Sequence, residues 1–212
     1  MPSRMQLARD AIKVEQDMIR ETVGAQDQVT AAVGGFNRIE FLPSGEINVH
    51  PVILPSARLE DLQARLMLFF TGFSRHASAI AQKQVEATPA KTAELARMGG
   101  MVKTALEILA AGELSDFGRL LHEAWELKRG LTPVVSTDAI DAMYDAARSA
   151  GARGGKLLGA GGGGFMLLFV EPENRAAVLE RLKDLLFVPF RFESGGSQII
   201  FYEDFGPNAR TR

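Results

Sequence analysis

Two carboxylates and one run of glycines are the features of this sequence that could do chemistry. Glu15 lies in a stretch whose apolar residues recur at helical spacing, and it falls in the middle of the apolar half of the wheel. A carboxylate there is costly unless it is paired, hydrogen-bonded or bound to a metal. A salt bridge to an arginine elsewhere, or a helix face lining a wet cleft, meets that cost as well as a metal or catalytic role does. Asp27 follows Gly24, where the chain can turn out of a helix, and is flanked by Gln26 and Gln28. It could cap the next short helix. Held at a helix N-terminus between two amides, it could instead accept a proton from a substrate hydroxyl or orient that hydroxyl.

The glycine run is GGKLLGAGGGGF, residues 154–165, and seven of the eleven residues 154–164 are glycine. It contains a formal G-x-G-x-x-G at Gly159, Gly161 and Gly164. A dinucleotide fingerprint follows a strand and opens a helix, whereas this run leads into FMLLFV, which reads as a strand. The Walker pattern is absent as well. What remains is a loop bare enough to approach an anion or another backbone closely, or a purely structural loop of small residues. Lys156 is either a point charge for phosphate or a solvated surface lysine. Arg75 and the pair Lys128–Arg129 are candidates to line an anionic pocket, against the plainer reading of solvated helix residues. Trp125 lies on an apolar stripe and reads as core.

The elements that must position these residues follow from periodicity and turn chemistry. A helix is predicted over 4–21 and a shorter one over 27–33, ended by Gly34–Gly35. Strands are predicted over 36–42 and 46–53, joined through Pro43-Ser44-Gly45. Pro55–Ser56 marks a domain boundary. A short helix over 58–63 and an apolar strand over 66–71 come next. Helices follow over 73–86, 88–110, 115–129 and 137–150, the last capped by Thr137 and stopped by Gly151. Gly99–Gly100 inside the second of these calls for close packing or a kink. The glycine loop leads to a strand over 165–170, then a helix over 173–187 opened by Pro172. Strands over 190–193 and 198–203 close the fold, and residues 205–212 read as a tail. This order is α+β.

Bulk properties bound the function. With 212 residues, 46% hydrophobic and 24% charged, the chain has the composition of a globular protein. Its net charge of −2 offers no electrostatic footprint for nucleic acid. There is no cysteine, which excludes disulfides and thiolate metal sites. The three histidines, His50, His76 and His122, lack the spacing of a helical metal pair. No apolar run approaches a membrane span and no secretory signal opens the sequence, so a cytoplasmic protein without a membrane partner is expected.

The stretches VGAQDQVTAAVGGFNRIEF, LFFTGFSRHASAIAQKQ, LLHEAWELKRGL and GGKLLGAGGGGFMLLFV together resemble the GHMP kinase superfamily, and within it the D-glycero-D-manno-heptose 7-phosphate kinase group. The resemblance implies ATP-dependent phosphorylation of a sugar-phosphate hydroxyl, with ATP and Mg²⁺ as cofactors. It places Asp27 at the catalytic aspartate, Glu15 at the metal-holding glutamate, and Gly159, Gly161, Gly162, Gly163 and Gly164 at the glycine loop near the phosphates. Gln26 and Arg75 are the candidates for the sugar acceptor.

The resemblance also implies a fold: a remnant of the GHMP N-terminal, ribosomal protein S5 domain 2-like domain over 1–56, and a ferredoxin-like GHMP C-terminal domain over 57–204. Family members carry an upstream loop of the form P-x-x-x-G-L-G-S-S around the ATP phosphates, and nothing of that form occurs here. The expectation is therefore a truncated chain with impaired ATP binding and turnover. Apolar surface is expected to be exposed, and a homodimer or another partner is one way to cover it. Two alternatives stand beside the kinase: a non-catalytic sugar-phosphate-binding module of the same fold, and a helical interaction protein whose glycine loop is only structural.

Overall fold

The computed structural model of the chain describes residues 2–73 and 77–200. Arg75, the tail over 205–212 and the end of the predicted last strand lie outside the described residues. The Ser3 side chain accepts a hydrogen bond from Gln6 N at 3.1 Å and starts α1, Arg4–Lys13. The helix then widens into one π turn, Val14–Met18, and stops at Arg20, whose backbone is left-handed at φ 61°. The predicted helix over 4–21 is thus shorter, and its apolar face is only partly covered. Ala8 is fully buried against Val29 and Ala32 of α2 (Gln26–Val33), while Met18 and Ile19 past the bend are exposed. The strands β1 (Asn37–Phe41) and β2 (Ile47–Pro51) form the expected antiparallel hairpin, which lays Ile39, Ile47 and Val49 on the same cluster.

After Pro55 come α3 (Ser56–Arg65), β3 (Leu66–Phe70), α4 (Ala77–Ala87), α5 (Thr92–Ala111), α6 (Leu114–Arg129) and α7 (Asp138–Ser149). They are followed by β4 (Ala152–Leu157), β5 (Phe165–Val170), α8 (Arg175–Arg181) and β6 (Leu186–Phe187). The sheet order is β4-β5-β3-β6 and every neighbouring pair is antiparallel. Two split βαβ crossovers wound this way give the ferredoxin-like topology, in agreement with the α+β reading.

The central strands are apolar at nearly every position because both faces of the sheet are covered. Met67, Phe69, Met166, Leu168 and Val170 join Trp125 and Tyr144 in one core. Leu66, Leu167 and Phe169 join Leu62, Leu109 and Leu114 in another.

Four expectations about elements are corrected. The first part of the glycine run is not loop but strand β4. Gly154 and Gly155 look like strand breakers, yet α6 lies so close that a Cβ on Gly154 would stand 2.0 Å from the Gly118 carbonyl oxygen. The helix predicted over 173–187 is a 3₁₀ turn, Pro172–Asn174, and the short α8; the chain then extends so that Phe187 pairs with Phe69 on the sheet edge. Residues 190–193 and 198–200 form no strand. Gln63 satisfies that backbone instead, accepting from Phe192 N at 2.9 Å and donating to Phe190 O at 3.2 Å. The glycine pair in α5 neither kinks it nor packs closely, since no atom lies within 4 Å of a Cβ built at Gly99 or Gly100.

Candidate functional site

A cleft of about 1000 Å³ opens where α1, the π turn, the N-terminus of α2, α4, the end of α6 and the turn after β4 converge. Glu15, Gln26, Asp27, Lys128, Lys156 and Gly159 all line it. The two carboxylates and the glycine segment singled out from sequence therefore meet at one place.

Glu15 is half-buried on the π turn, an irregularity frequent at functional sites. Its partner is not an arginine. Gln28 Nε2 donates to Glu15 Oε2 at 2.6 Å, and Oε1 of the carboxylate makes no hydrogen bond among the described residues. Gln28 is itself buried, and its Oε1 has no hydrogen-bond partner among the described residues. An acceptor without a donor in such a place is costly.

Asp27 stands in the first turn of α2 and does not cap it; the cap position is Ala25, with no side-chain hydrogen bond. The capping role considered for Asp27 is thus set aside. Its carboxylate is exposed on the cleft wall, next to Gln26, with the positive end of the helix behind it.

Opposite these acids are two lysines. Lys128, in the last turn of α6, donates from Nζ to Gly159 O at 2.5 Å and to Leu157 O at 3.4 Å. Burial pushes its ammonium down to about 8; the Lys156 charge adds to the fall and the Asp27 carboxylate opposes it. Lys156 projects from β4, and burial lowers its pKa too. It is not the solvated surface lysine that its position in the sequence allowed. Arg129 turns away, pairing with Glu126 at 2.8 Å and Asp141 at 3.3 Å.

The glycine loop divides its work. Leu158, Gly159 and Ala160 line the cleft, and Gln84 of α4, which carried no signal in the sequence, holds Ala160 O at 2.5 Å. Gly161 to Gly164 form the return turn. Gly162 N donates to Val135 O at 2.9 Å and Gly164 N to Phe73 O at 2.8 Å. A Cβ on Gly161 would approach Val135 O to 2.7 Å, and φ there is 122°, so glycine is required. Of the five glycines expected at the phosphates, only Gly159 lines the cleft.

No group of three or more His, Cys, Asp or Glu residues converges among the described residues. Mg²⁺ needs less than that, since it binds through one or two carboxylates together with substrate phosphates and water. The Glu15 carboxylate, on the cleft lining, fits such a partial set of oxygen donors.

Residues 105–186 match the family described as GHMP kinases C terminal. This segment is a GHMP kinase C-terminal domain. Similarity continues on both sides of that domain. The chain is 32% identical over 181 residues to the D-glycero-alpha-D-manno-heptose 7-phosphate kinase of Campylobacter jejuni, covering 84% of this chain and 53% of that protein. It is 31% identical over 183 residues to the mevalonate kinase of Pyrococcus horikoshii, covering 82% and 50%. Among solved structures it superposes on a D-glycero-D-manno-heptose 1-phosphate kinase from Bacteroides thetaiotaomicron, with a TM-score of 0.63, 27% identity, 92% of this chain and 55% of that one. The chain thus spans about half the length of the curated relatives it matches. Outside the GHMP kinase C-terminal domain lie α1, α2 and the hairpin, which carry Glu15 and Asp27. No helix among the described residues is long and apolar enough to cross a membrane.

Proposed function

We propose that the cleft is the acceptor side of a phosphoryl-transfer site, and that the chain acts as a GHMP-type, ATP-dependent kinase of a phosphorylated sugar. The convergence of Asp27, Glu15 and the Lys128–Lys156 pair on one cleft carries this reading. The named relatives, two of them heptose-phosphate kinases, support the substrate class.

In this reading the sugar hydroxyl lies against Asp27, beside Gln26. Asp27 takes the hydroxyl proton as the new O–P bond forms and the bond to the ADP oxygen breaks. The Asp27 carboxylate and the Lys128 ammonium attract one another within this cleft. Glu15, oriented by Gln28, would hold Mg²⁺, whose charge offsets that building up on the transferred group. Most of the acceleration then comes from positioning and charge, as phosphoryl transfer requires.

One observation favours a second reading, in which the chain binds a sugar phosphate without transferring phosphate. The amides of Gly162 and Gly164 already bond Val135 and Phe73, so this part of the loop offers no array of donors to a triphosphate. Calorimetry with mannose 6-phosphate and ATP, followed by an assay of sugar-dependent ADP formation, separates the two. Binding of both ligands with ADP formation supports the kinase. Sugar-phosphate binding with no nucleotide binding overturns it in favour of the binding module.

A further inference from the structure

We propose that Lys128 and Lys156 form a dedicated phosphate subsite on the cleft wall facing Asp27. The assignment rests on the phosphoryl-transfer reading and names one subsite within it.

The argument starts from an arrangement that is unfavourable without a ligand. Two ammonium groups from different elements, the end of α6 and the strand β4, point into the same half-buried space. They repel one another, and burial disfavours the charge of each. Lys128 is fixed by two carbonyl oxygens of the turn after β4, which orient its Nζ without neutralising it. Lys156 makes no ion pair among the described residues, and desolvation is the sole cause of its shift. Among the described residues the carboxylate whose charge acts on Lys128 is Asp27 of α2, and Glu15 lines the same cleft.

Two like charges held in one partly dry space favour an anion carrying more than one negative charge. A phosphate monoester dianion has that charge and three oxygens with which to accept N–H bonds from both lysines. Neither a carboxylate nor a neutral sugar matches it. α6 packs closely on β4, with Gly154 against Gly118, and this holds together the two elements that carry the lysines.

The dianion also couples binding to protons. Free Lys128 titrates near pH 8, so part of the population is neutral there. A phosphate between the lysines restores both charges, and the complex takes up a proton on forming at that pH. A lysine that only braces the turn would show no such uptake.

The test uses this chain and inorganic phosphate as probe, by titration calorimetry at pH 8 in two buffers of different ionisation enthalpy. Expected are saturable binding, net proton uptake, and at least tenfold weaker binding in both Lys128→Gln and Lys156→Gln. Lys183→Gln, on an exposed residue far from the cleft, should leave binding unchanged. Lys156→Arg, which keeps the charge, should retain it within about threefold. Circular dichroism verifies that the variants are folded.

Binding unchanged within twofold in both glutamine variants overturns the subsite, as does absence of phosphate binding in the unmutated chain. Competition then identifies the source. Displacement of phosphate by mannose 6-phosphate assigns the subsite to the sugar, displacement by ATP alone assigns it to the nucleotide, and displacement by neither overturns it. Phosphate binding with these properties but no sugar-dependent ADP formation keeps the subsite and removes the kinase reading.

Discussion

Gln28 reaches from the buried side of α2 to the carboxylate of Glu15 on the π turn, 2.6 Å from Nε2 to Oε2. This bond joins the two elements that bear the acidic groups of the cleft. It also fixes which end of the amide faces Glu15, because a carboxylate only accepts. The other end, Oε1, is then an acceptor with no donor among the described residues.

Replacing Gln28 by leucine should therefore separate stability from function. The charge-assisted bond is worth about 1.5–3 kcal/mol, but removing it also removes the unsatisfied oxygen, and Glu15 is half-exposed and can be rehydrated. Urea unfolding should show a net change of about 1 kcal/mol or less. The Mg²⁺ concentration giving half-maximal ADP formation should rise about tenfold or more. A loss above about 3 kcal/mol with unchanged Mg²⁺ dependence would make Gln28 a purely structural residue.

Glycine substitutions should split by place rather than by residue type. Gly99→Ala and Gly100→Ala meet no neighbouring atom and have ordinary helical backbone, so each should stabilise by about 0.5–1 kcal/mol. Gly154→Ala should destabilise by about 2 kcal/mol or more, because its Cβ would collide with the backbone of α6. Thermal unfolding of the three variants measures both signs.

Lys128 makes stability depend on pH in a definite direction. Its folded pKa, about 8, lies below the ordinary lysine value of 10.5, so the unfolded chain holds the proton more tightly. The penalty is fully present below pH 8 and is relieved as pH rises from 8 toward 10.5. Stability of the unmutated chain relative to Lys128→Met should thus increase between pH 7 and pH 10. Urea midpoints of the two proteins, taken in pairs at each pH, cancel the other titrating groups. A constant difference would show that Lys128 is not desolvated.

The buried carboxylate of Glu171 depends on Arg65. Arg65 Nε donates to it at 2.9 Å and Ser115 Oγ at 2.5 Å, and the glutamate is 6% exposed. Arg65→Met leaves that charge with Ser115 and with Arg153 at 4.0 Å, and should cost about 3 kcal/mol; adding Glu171→Met should recover much of the loss. A double-mutant cycle in urea gives the coupling, and additive losses would mean that the pair contributes nothing.

Much of the fold was legible because its signals are local. Most of the helices, the hairpin and the apolar strands β3 and β5 were readable from spacing and turn residues alone, but the helix over 173–187 was not. What was missed depends on contacts distant in sequence. Strand β4 has glycines because α6 presses on it, 190–193 is extended but bonded to the Gln63 side chain, and β6 pairs with the edge of β3. Within the site, Glu15 and Asp27 stood out, one as a charge on an apolar face and the other as an acid after a turn. Lys156 was named with two open readings and Gln84 not at all, because a lone lysine or glutamine is identical in sequence whether it is solvated or faces a cleft. The glycine run was noticed for its composition, but most of its glycines serve backbone packing, and composition cannot separate packing from ligand approach.

The central claim is that Asp27 receives the proton of the acceptor hydroxyl of a sugar phosphate bound in this cleft. The most direct test is Asp27→Asn, assayed for sugar-dependent ADP formation and for mannose 6-phosphate affinity. The account predicts a fall in turnover of about 10²–10⁴-fold, with affinity within about threefold. Turnover that survives the substitution would contradict it.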